Sequence, residues 1–424
     1  MIKKIAAASA AVLMMAGVAS AAAVDVNMYG ASAQYLFWTG ASADFLTDMG
    51  CSGVTTAESG EKSGLATGTA CTGLSGNDVT IRYTAKASFD GVMAAGGTEH
   101  IDAPTTCTDK SQRPMITSVA DTPLSCQKVH IGASDVAAES FSQTSFGAEE
   151  GPLGGAFVMR DFVTNPVTAD GLATANPLVV PFAPFVSKNV KASTCDDGAN
   201  AGEYCDSVAD CGAGATSCTA KPLDNLSREM VVNIFSGYIS NWSDFGPGFP
   251  NQPMTVCLRH AGSGTHATID HAVMNKTWGA GLVSFENPFS APFIYFNDGS
   301  SDMMKCVTNN KTTDADESTW FAIGYADADY LIAKPEYAPY TYSPKYNGAK
   351  ATRSNIKNGL YDWWSAQWMY YNPTQDQAIL DTIAALVNYS SDSANLPAAK
   401  ADYWASQSEM NFFKGNDLLY PTKQ

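Results

Sequence analysis

Positive charge is scarce in this chain. Lysine and arginine number 25 against 42 aspartates and glutamates, giving a formal net charge of −17. Such a surface repels nucleic acid and anionic lipid, so neither is an expected partner. Attraction for an anion would have to be local, made by a few aimed donors. Long apolar runs are missing beyond the N-terminus, so no segment there is expected to cross a bilayer. The sequence has no internal repeat, which argues against solenoids and propellers.

What is present is ordinary globular material. The chain has 424 residues, 45% of them hydrophobic, enough for two domains or one large one with sizeable cores. Its start, MIKKIAAASAAVLMMAGVASA, sets Lys3 and Lys4 before an apolar run from Ile5 to Val18 and then Ala19-Ser20-Ala21. That is the pattern of a secretory signal peptide, residues 1–21, and no Cys follows it to take a lipid. Ten cysteines fit an exported protein. Cys51 and Cys71 bracket one polar stretch and Cys107 and Cys126 another, while Cys257 and Cys306 remain to pair with each other. Cys195, Cys205, Cys211 and Cys218 lie in CDDGANAGEYCDSVADCGAGATSC. A small disulfide knot is the reading preferred there, because zinc sites favour closer Cys pairs with His among the ligands.

Strand and helix signals alternate. VDVNMYG, VTIRYTAKAS (Val79–Ser88), KVHIGASD (Lys128–Asp135), PLVVPFAPFV (Pro177–Val186), MTVCLRH and FAIGYADADYL read as strands. Ala31 to Met49 has helical spacing, and LSREMVVNIFSG is the clearest helix, with Asn225 or Ser227 as its cap. NGLYDWWSAQWMYY, Asn358–Tyr371, reads as an aromatic helix serving the core. The alternation predicts an α/β chain with mainly parallel sheets.

The stretch LRHAGSGTHATIDHAV carries the chemistry. Glycines touch Ser263 on both sides, unlike the Gly-x-Ser-x-Gly elbow of a hydrolase. His266 and His271 are five apart and share a helical face poorly, so a metal pair is not expected. A glycine-rich turn entering a helix presents free N–H groups to an oxyanion, and Arg259 adds a fork of donors. A plain strand-to-helix turn with a surface arginine fits this stretch equally well.

Several blocks together resemble the phosphate-binding proteins of bacterial phosphate ABC transporters, which have the type II periplasmic binding protein fold. Arg259-x-x-Gly-Ser-Gly-Thr before a helix is similar to that family's signature, YGASAQYLF to its opening loop and IGASD to its Gly-Ala-Ser-Asp. LSREMVVNIFSGYISNWSDFGP and AIGYADADYL resemble later family segments, in the same order. The resemblance implies a two-lobe α/β clamp with the ligand in the cleft between lobes. It implies residues 22–180 as the first part of lobe 1, 181–320 as lobe 2 with a Cys-rich insertion at 191–222, and 321–424 as the return to lobe 1. Implied ligand contacts are Gln34, Tyr35, Ser88 and Asp135 from one lobe, and Arg259, Ser263, Gly264 and Thr265 from the other. The implied partners are inorganic phosphate, or a similar oxyanion, and an ABC permease. No cofactor, metal, catalytic residue or membrane anchor is implied, and the place of action is the periplasm or outside the cell.

Asp135 would discriminate among oxyanions. A carboxylate beside an anion repels it unless a proton lies between them, so it accepts from hydrogen phosphate and rejects sulfate. Three positions depart from the family pattern. Gln34-Tyr35 stands where it has Thr-Phe, Ser88-Phe89-Asp90-Gly91 replaces Ser-Ser-Gly-Gly, and Ala261 replaces the acid that steadies the arginine. Asp90 is expected to take over that role for Arg259. These departures also support the alternative, a binding-protein-like fold used as an extracellular or envelope interaction protein with an altered cleft.

Overall fold

A computed structural model describes residues 22–60, 62–118, 124–147, 159–275, 281–309 and 320–423. The expected signal peptide lies outside them. Among the described residues no helix is long and apolar enough to cross a membrane.

Ten strands form one continuous path of hydrogen bonds. In chain order they are β1 (Ala23–Gly30), β2 (Ser52–Ser59), β3 (Ser63–Cys71), β4 (Asn77–Ala85) and β5 (Ile131–Ser134). Then come β6 (Ala173–Ser187), β7 (Thr255–Arg259), β8 (Phe293–Asn297), β9 (Ala322–Asp327) and β10 (Trp364–Tyr371). Their spatial order is β8-β7-β9-β6-β10-β5-β1-β4-β3-β2.

Each lobe is built on three parallel strands. In the first, β1 lies between β4 and β5, and in the second β7 lies between β8 and β9. The lobes share β6. Its first half, to Pro181, runs antiparallel to β10, and from Phe182 onward it runs antiparallel to β9. Val179, Val180, Phe182, Phe185 and Val186 on β6 are all buried, as the run of apolar residues predicts for a strand covered on both faces. This single strand therefore belongs to two cores.

The helices follow their sequence signals closely. α1 (Ser32–Asp48) buries Phe37, Trp38 and Phe45. α2 (Ser88–Ala95) starts at the serine read above as a strand end, because β4 stops at Ala85. α3 (Arg228–Phe235) is capped by Ser227, whose hydroxyl accepts from the Met230 N–H at 3.2 Å. α4 (Gly264–Ile269) follows β7, and α5 (Ser300–Val307) follows β8.

Two elements differ from their sequence patterns. The segment expected as a helix over Asn358–Tyr371 is instead β10, with Trp364, Met369 and Tyr370 buried. Its aromatics recur at near-helical intervals, but aromatic side chains favour strands, and a strand with no exposed residue on either face needs no polar face. Their role in the core is as expected. The strand expected over Lys128–Asp135 is also split, with Ser125–Lys128 joining Gln112–Met115 in a separate hairpin.

All ten cysteines are paired. Cys51–Cys71, Cys107–Cys126 and Cys257–Cys306 join as expected. The Cys-rich segment forms a ladder of Lys191–Cys195 with Cys218–Pro222, stapled by Cys195–Cys211 and Cys205–Cys218. Disulfide sulfurs carry no thiolate for a metal, which disposes of the cluster of Cys195, Cys205 and Cys211 as a metal site.

Candidate functional site

The glycine-rich turn and the first lobe are in contact. The Phe89 N–H donates to the Gly262 carbonyl at 3.4 Å. A methyl group built on Gly264 would lie 2.5 Å from Ser88 Oγ and 2.6 Å from Asp135 Cβ and Oδ2. Only a hydrogen fits there, so glycine serves close approach of backbone to side chains across the cleft. Ser88 Oγ in turn donates to Asp135 Oδ2 at 3.2 Å.

Six of the eight residues expected at the site are buried where the lobes meet or at the turn itself: Ser88, Asp135, Arg259, Ser263, Gly264 and Thr265. Ser263 caps α4, its hydroxyl accepting from the His266 N–H at 3.4 Å. Gln34 is wholly buried near the start of α1, and neither end of its amide finds a partner. Tyr35 is not brought into this group. Its N–H closes on the Ala31 carbonyl inside α1, and its ring packs on Tyr83 at 5.7 Å between centroids.

Arg259 sits at the end of β7, 5% exposed. Its Nη1 donates to Ser300 Oγ at 2.7 Å and its Nη2 to the Asp298 carbonyl at 2.9 Å, while Nε has no partner. The expectation that Asp90 steadies Arg259 is overturned. Asp90 Oδ1 accepts from both Nε and Nη2 of Arg113, at 2.9 and 2.6 Å. A neutral hydroxyl and a backbone carbonyl accept the two hydrogen bonds described from its Nη atoms.

Sequence reasoning missed two further buried side chains. Gln367 on β10 lies beside Asp135, close enough to favour its charged form, yet without a geometrically complete hydrogen bond. Asp327 ends β9, and its Oδ1 also lacks a partner. The signal for Gln367 was a lone amide among the aromatics of WWSAQWMYY, masked once that stretch was read as a helix. Asp327 was hidden in the repeated acids of ADAD.

Burial raises the carboxyl pKa of Asp135, against the nearby Gln367 amide, the hydrogen bond from Ser88 and the charge of Arg259. Burial, with Asp135 as the next contributor, pushes Asp327 up to about 7. The histidines near Ser263 are occupied elsewhere. His266 Nδ1 meets the Tyr325 hydroxyl at 2.7 Å, and burial lowers its pKa to about 3.

Beside this cluster opens a cleft of about 670 Å³ that touches both lobes and ends at Arg259. Five cations line it, Lys62, Lys86, Arg113, Arg160 and Arg259, against the three carboxylates Asp90, Asp298 and Asp302. In a chain of net charge −17, cations outnumber carboxylates along this cleft. Lys62 Nζ reaches from the β2–β3 hairpin to Ser301 Oγ on α5 at 3.4 Å, a polar contact from one lobe to the other.

Comparison with known proteins gives one family over most of the chain: the model of the PBP superfamily domain matches residues 20–393. Solved structures with a similar fold include an ABC-type phosphate transport receptor from Vibrio cholerae, at 13% identity and TM-score 0.42, covering 86% of this chain and 93% of that one. A phosphate binding protein from Stenotrophomonas maltophilia matches at 13% identity and TM-score 0.44, covering 86% and 84%. An ancestral soluble variant of the human phosphate binding protein matches at 14% identity and TM-score 0.49, covering 93% and 96%.

Proposed function

The chain belongs to the PBP superfamily, and from that membership we propose that it is an exported substrate-binding protein capturing inorganic phosphate, or a close oxyanion, for an ABC importer. The ligand lies between Ser88, Asp135 and Gln34 on one lobe and Arg259 with the Ser263-Gly264-Thr265 turn on the other. The lobes divide near residue 181 on β6 and again after β9, later than the implied boundary at 320 because β9 pairs with β7 of lobe 2, and closure brings Gly264 onto Asp135. Anions enter by the cationic cleft that ends at Arg259.

One observation carries the reading. A buried carboxylate with an unpartnered oxygen stands within electrostatic reach of a buried arginine whose Nε is unpartnered. An anion between them satisfies the arginine directly. It satisfies Asp135 only by bringing a proton, which hydrogen phosphate and arsenate have and sulfate lacks at neutral pH.

Calorimetric titration of the ligand-stripped protein with phosphate, arsenate, sulfate and molybdate tests this. Phosphate and arsenate are expected to bind at least about a hundredfold more tightly than sulfate, a difference of about 2.7 kcal/mol. Silence with all four would instead favour an interaction protein with an altered cleft.

A further inference from the structure

The proposed pocket contains more acid than a single-proton ligand accounts for. Asp327 is 2% exposed, and it closes β9 opposite Phe182, the residue at which β6 passes from one lobe to the other. Asp135 is likewise 2% exposed, and each of the two has an oxygen without a partner. Of the charged groups around Asp327, Asp135 presses on it hardest. β9 runs parallel to β7 with Ile323 opposite Val256, so Asp327 ends its strand next to the end of β7 that carries Arg259, and Asp135 lies within electrostatic reach of both.

The other charges do not neutralise the pair. Around Asp327 stand Asp135 after β5, Arg259 at the end of β7, Asp329 and Tyr330 in the turn after β9, and Lys400 near the C-terminal part of the chain. Lys400 is already bonded to Asp329, which also accepts from the Trp404 indole at 3.1 Å. Lys400 still favours the charged form of Asp327, more than Arg259 does, but Arg259 is the cation that acts on both Asp135 and Asp327. Adding a dianion would place at least four negative charges around it in a dry site, which is costly unless protons come too.

We propose that Asp327 is a second ligand-facing carboxylate, so that the site holds a phosphate-type oxyanion together with two protons, one bridging the ligand to Asp135 and one bridging it to Asp327. The proposal rests on the phosphate reading above and adds to it which protonation state is bound. The second proton sits on the ligand as dihydrogen phosphate or on the Asp327 carboxyl, and the two placements are the same hydrogen bond seen from either end. The raised pKa of Asp327 agrees with this, since its carboxyl then gains a proton at little cost near neutrality. Free phosphate is mainly the singly protonated dianion at alkaline pH, so binding there draws one proton from the buffer.

The test is titration with inorganic phosphate at pH 8 to 9 in two buffers of different ionisation enthalpy, which counts the protons taken up. About one proton per site is expected, with affinity falling about tenfold per pH unit, the slope that one linked proton imposes. The D327N variant is expected to abolish both the uptake and the slope while still binding phosphate at pH 8. Thermal melts show whether that variant folds, and the wild-type proton count stands as a test without it. Phosphate binding with no proton uptake and no slope would overturn this inference and leave the phosphate reading intact. No binding of phosphate at any pH would overturn the reading itself.

Discussion

The Asp90 carboxylate grips Arg113 through two donors, at 2.9 and 2.6 Å, rather than reaching Arg259. Arg113 is 1% exposed and also donates to the carbonyls of Lys110, Gln112 and Thr98. The acid in the altered Ser-Phe-Asp-Gly turn therefore anchors α2 to the hairpin of Gln112–Met115. Asp90→Ala leaves a buried guanidinium charge behind, which costs about 3–5 kcal/mol when a buried pair is broken from one side. Urea unfolding is expected to show that loss, while phosphate affinity measured well below the melting temperature stays within about threefold. A large loss of affinity with stability intact would return Asp90 to Arg259.

The fit of Gly264 against Ser88 and Asp135 leaves no room for a methyl group. In Gly264→Ala the added carbon meets Asp135 Cβ, which cannot swing aside as a side-chain tip would. The lobes must stand slightly apart, at the cost of about 1–3 kcal/mol typical of overpacking. Phosphate affinity is expected to fall about tenfold to a hundredfold, and small-angle scattering should show a more open molecule at equal phosphate. An alanine variant that binds and closes like the wild type would rule out this contact as the closure point.

Most of the architecture was legible because its signals are local. Ser227 capped its helix, β6 was a buried apolar strand, and three cysteine pairs followed from their positions, whereas the pairing inside the Cys195–Cys218 knot did not. The failures have a common physical form. Trp364, Trp368 and Tyr371 sit at spacings that suit a helix, and only the neighbouring strands β6 and β5 decide that they form a strand. Likewise Asp90 lies near the expected site in sequence, but its partner Arg113 is brought by a hairpin that no pattern links to it. Gln367 becomes a candidate only when β10 pairs with β5 and brings it beside Asp135, and Asp327 only when β9 pairs with β7 and ends beside Arg259.

The disulfides divide by what they hold. Cys257–Cys306 ties β7 to α5, the elements bearing Arg259 and its partner Ser300, and closes a loop with a separation of 49 residues. The chain-entropy estimate for such a loop is about 4 kcal/mol. Replacing both cysteines with serine is expected to lower unfolding stability by about that amount and to weaken phosphate binding, because Ser300 is freed to drift from Arg259. Replacing Cys205 and Cys218, whose bond staples the Cys-rich segment, should leave phosphate affinity unchanged. Calorimetric titration of the two variants side by side checks this, and equal loss of affinity in both would contradict it.

Acid should weaken the fold through a buried histidine in the first lobe. His130 Nδ1 accepts the Asn27 N–H at 3.1 Å, which requires a neutral ring, and burial lowers its pKa to about 4. Unfolding restores the ordinary value near 6.5, so between about pH 6.5 and 4 the unfolded chain binds the extra proton. Stability from this group is full above pH 6.5 and is lost as the pH falls through that window, by about 3 kcal/mol in all. His266, lowered to about 3, adds to the same trend, whereas Asp327, raised to about 7, has the opposite sign there. Comparing His130→Gln with wild type separates these contributions. The variant is expected to lose about 3 kcal/mol less between pH 6.5 and pH 4 in urea unfolding. Parallel pH curves for the two proteins would mean that His130 does not change its protonation on unfolding.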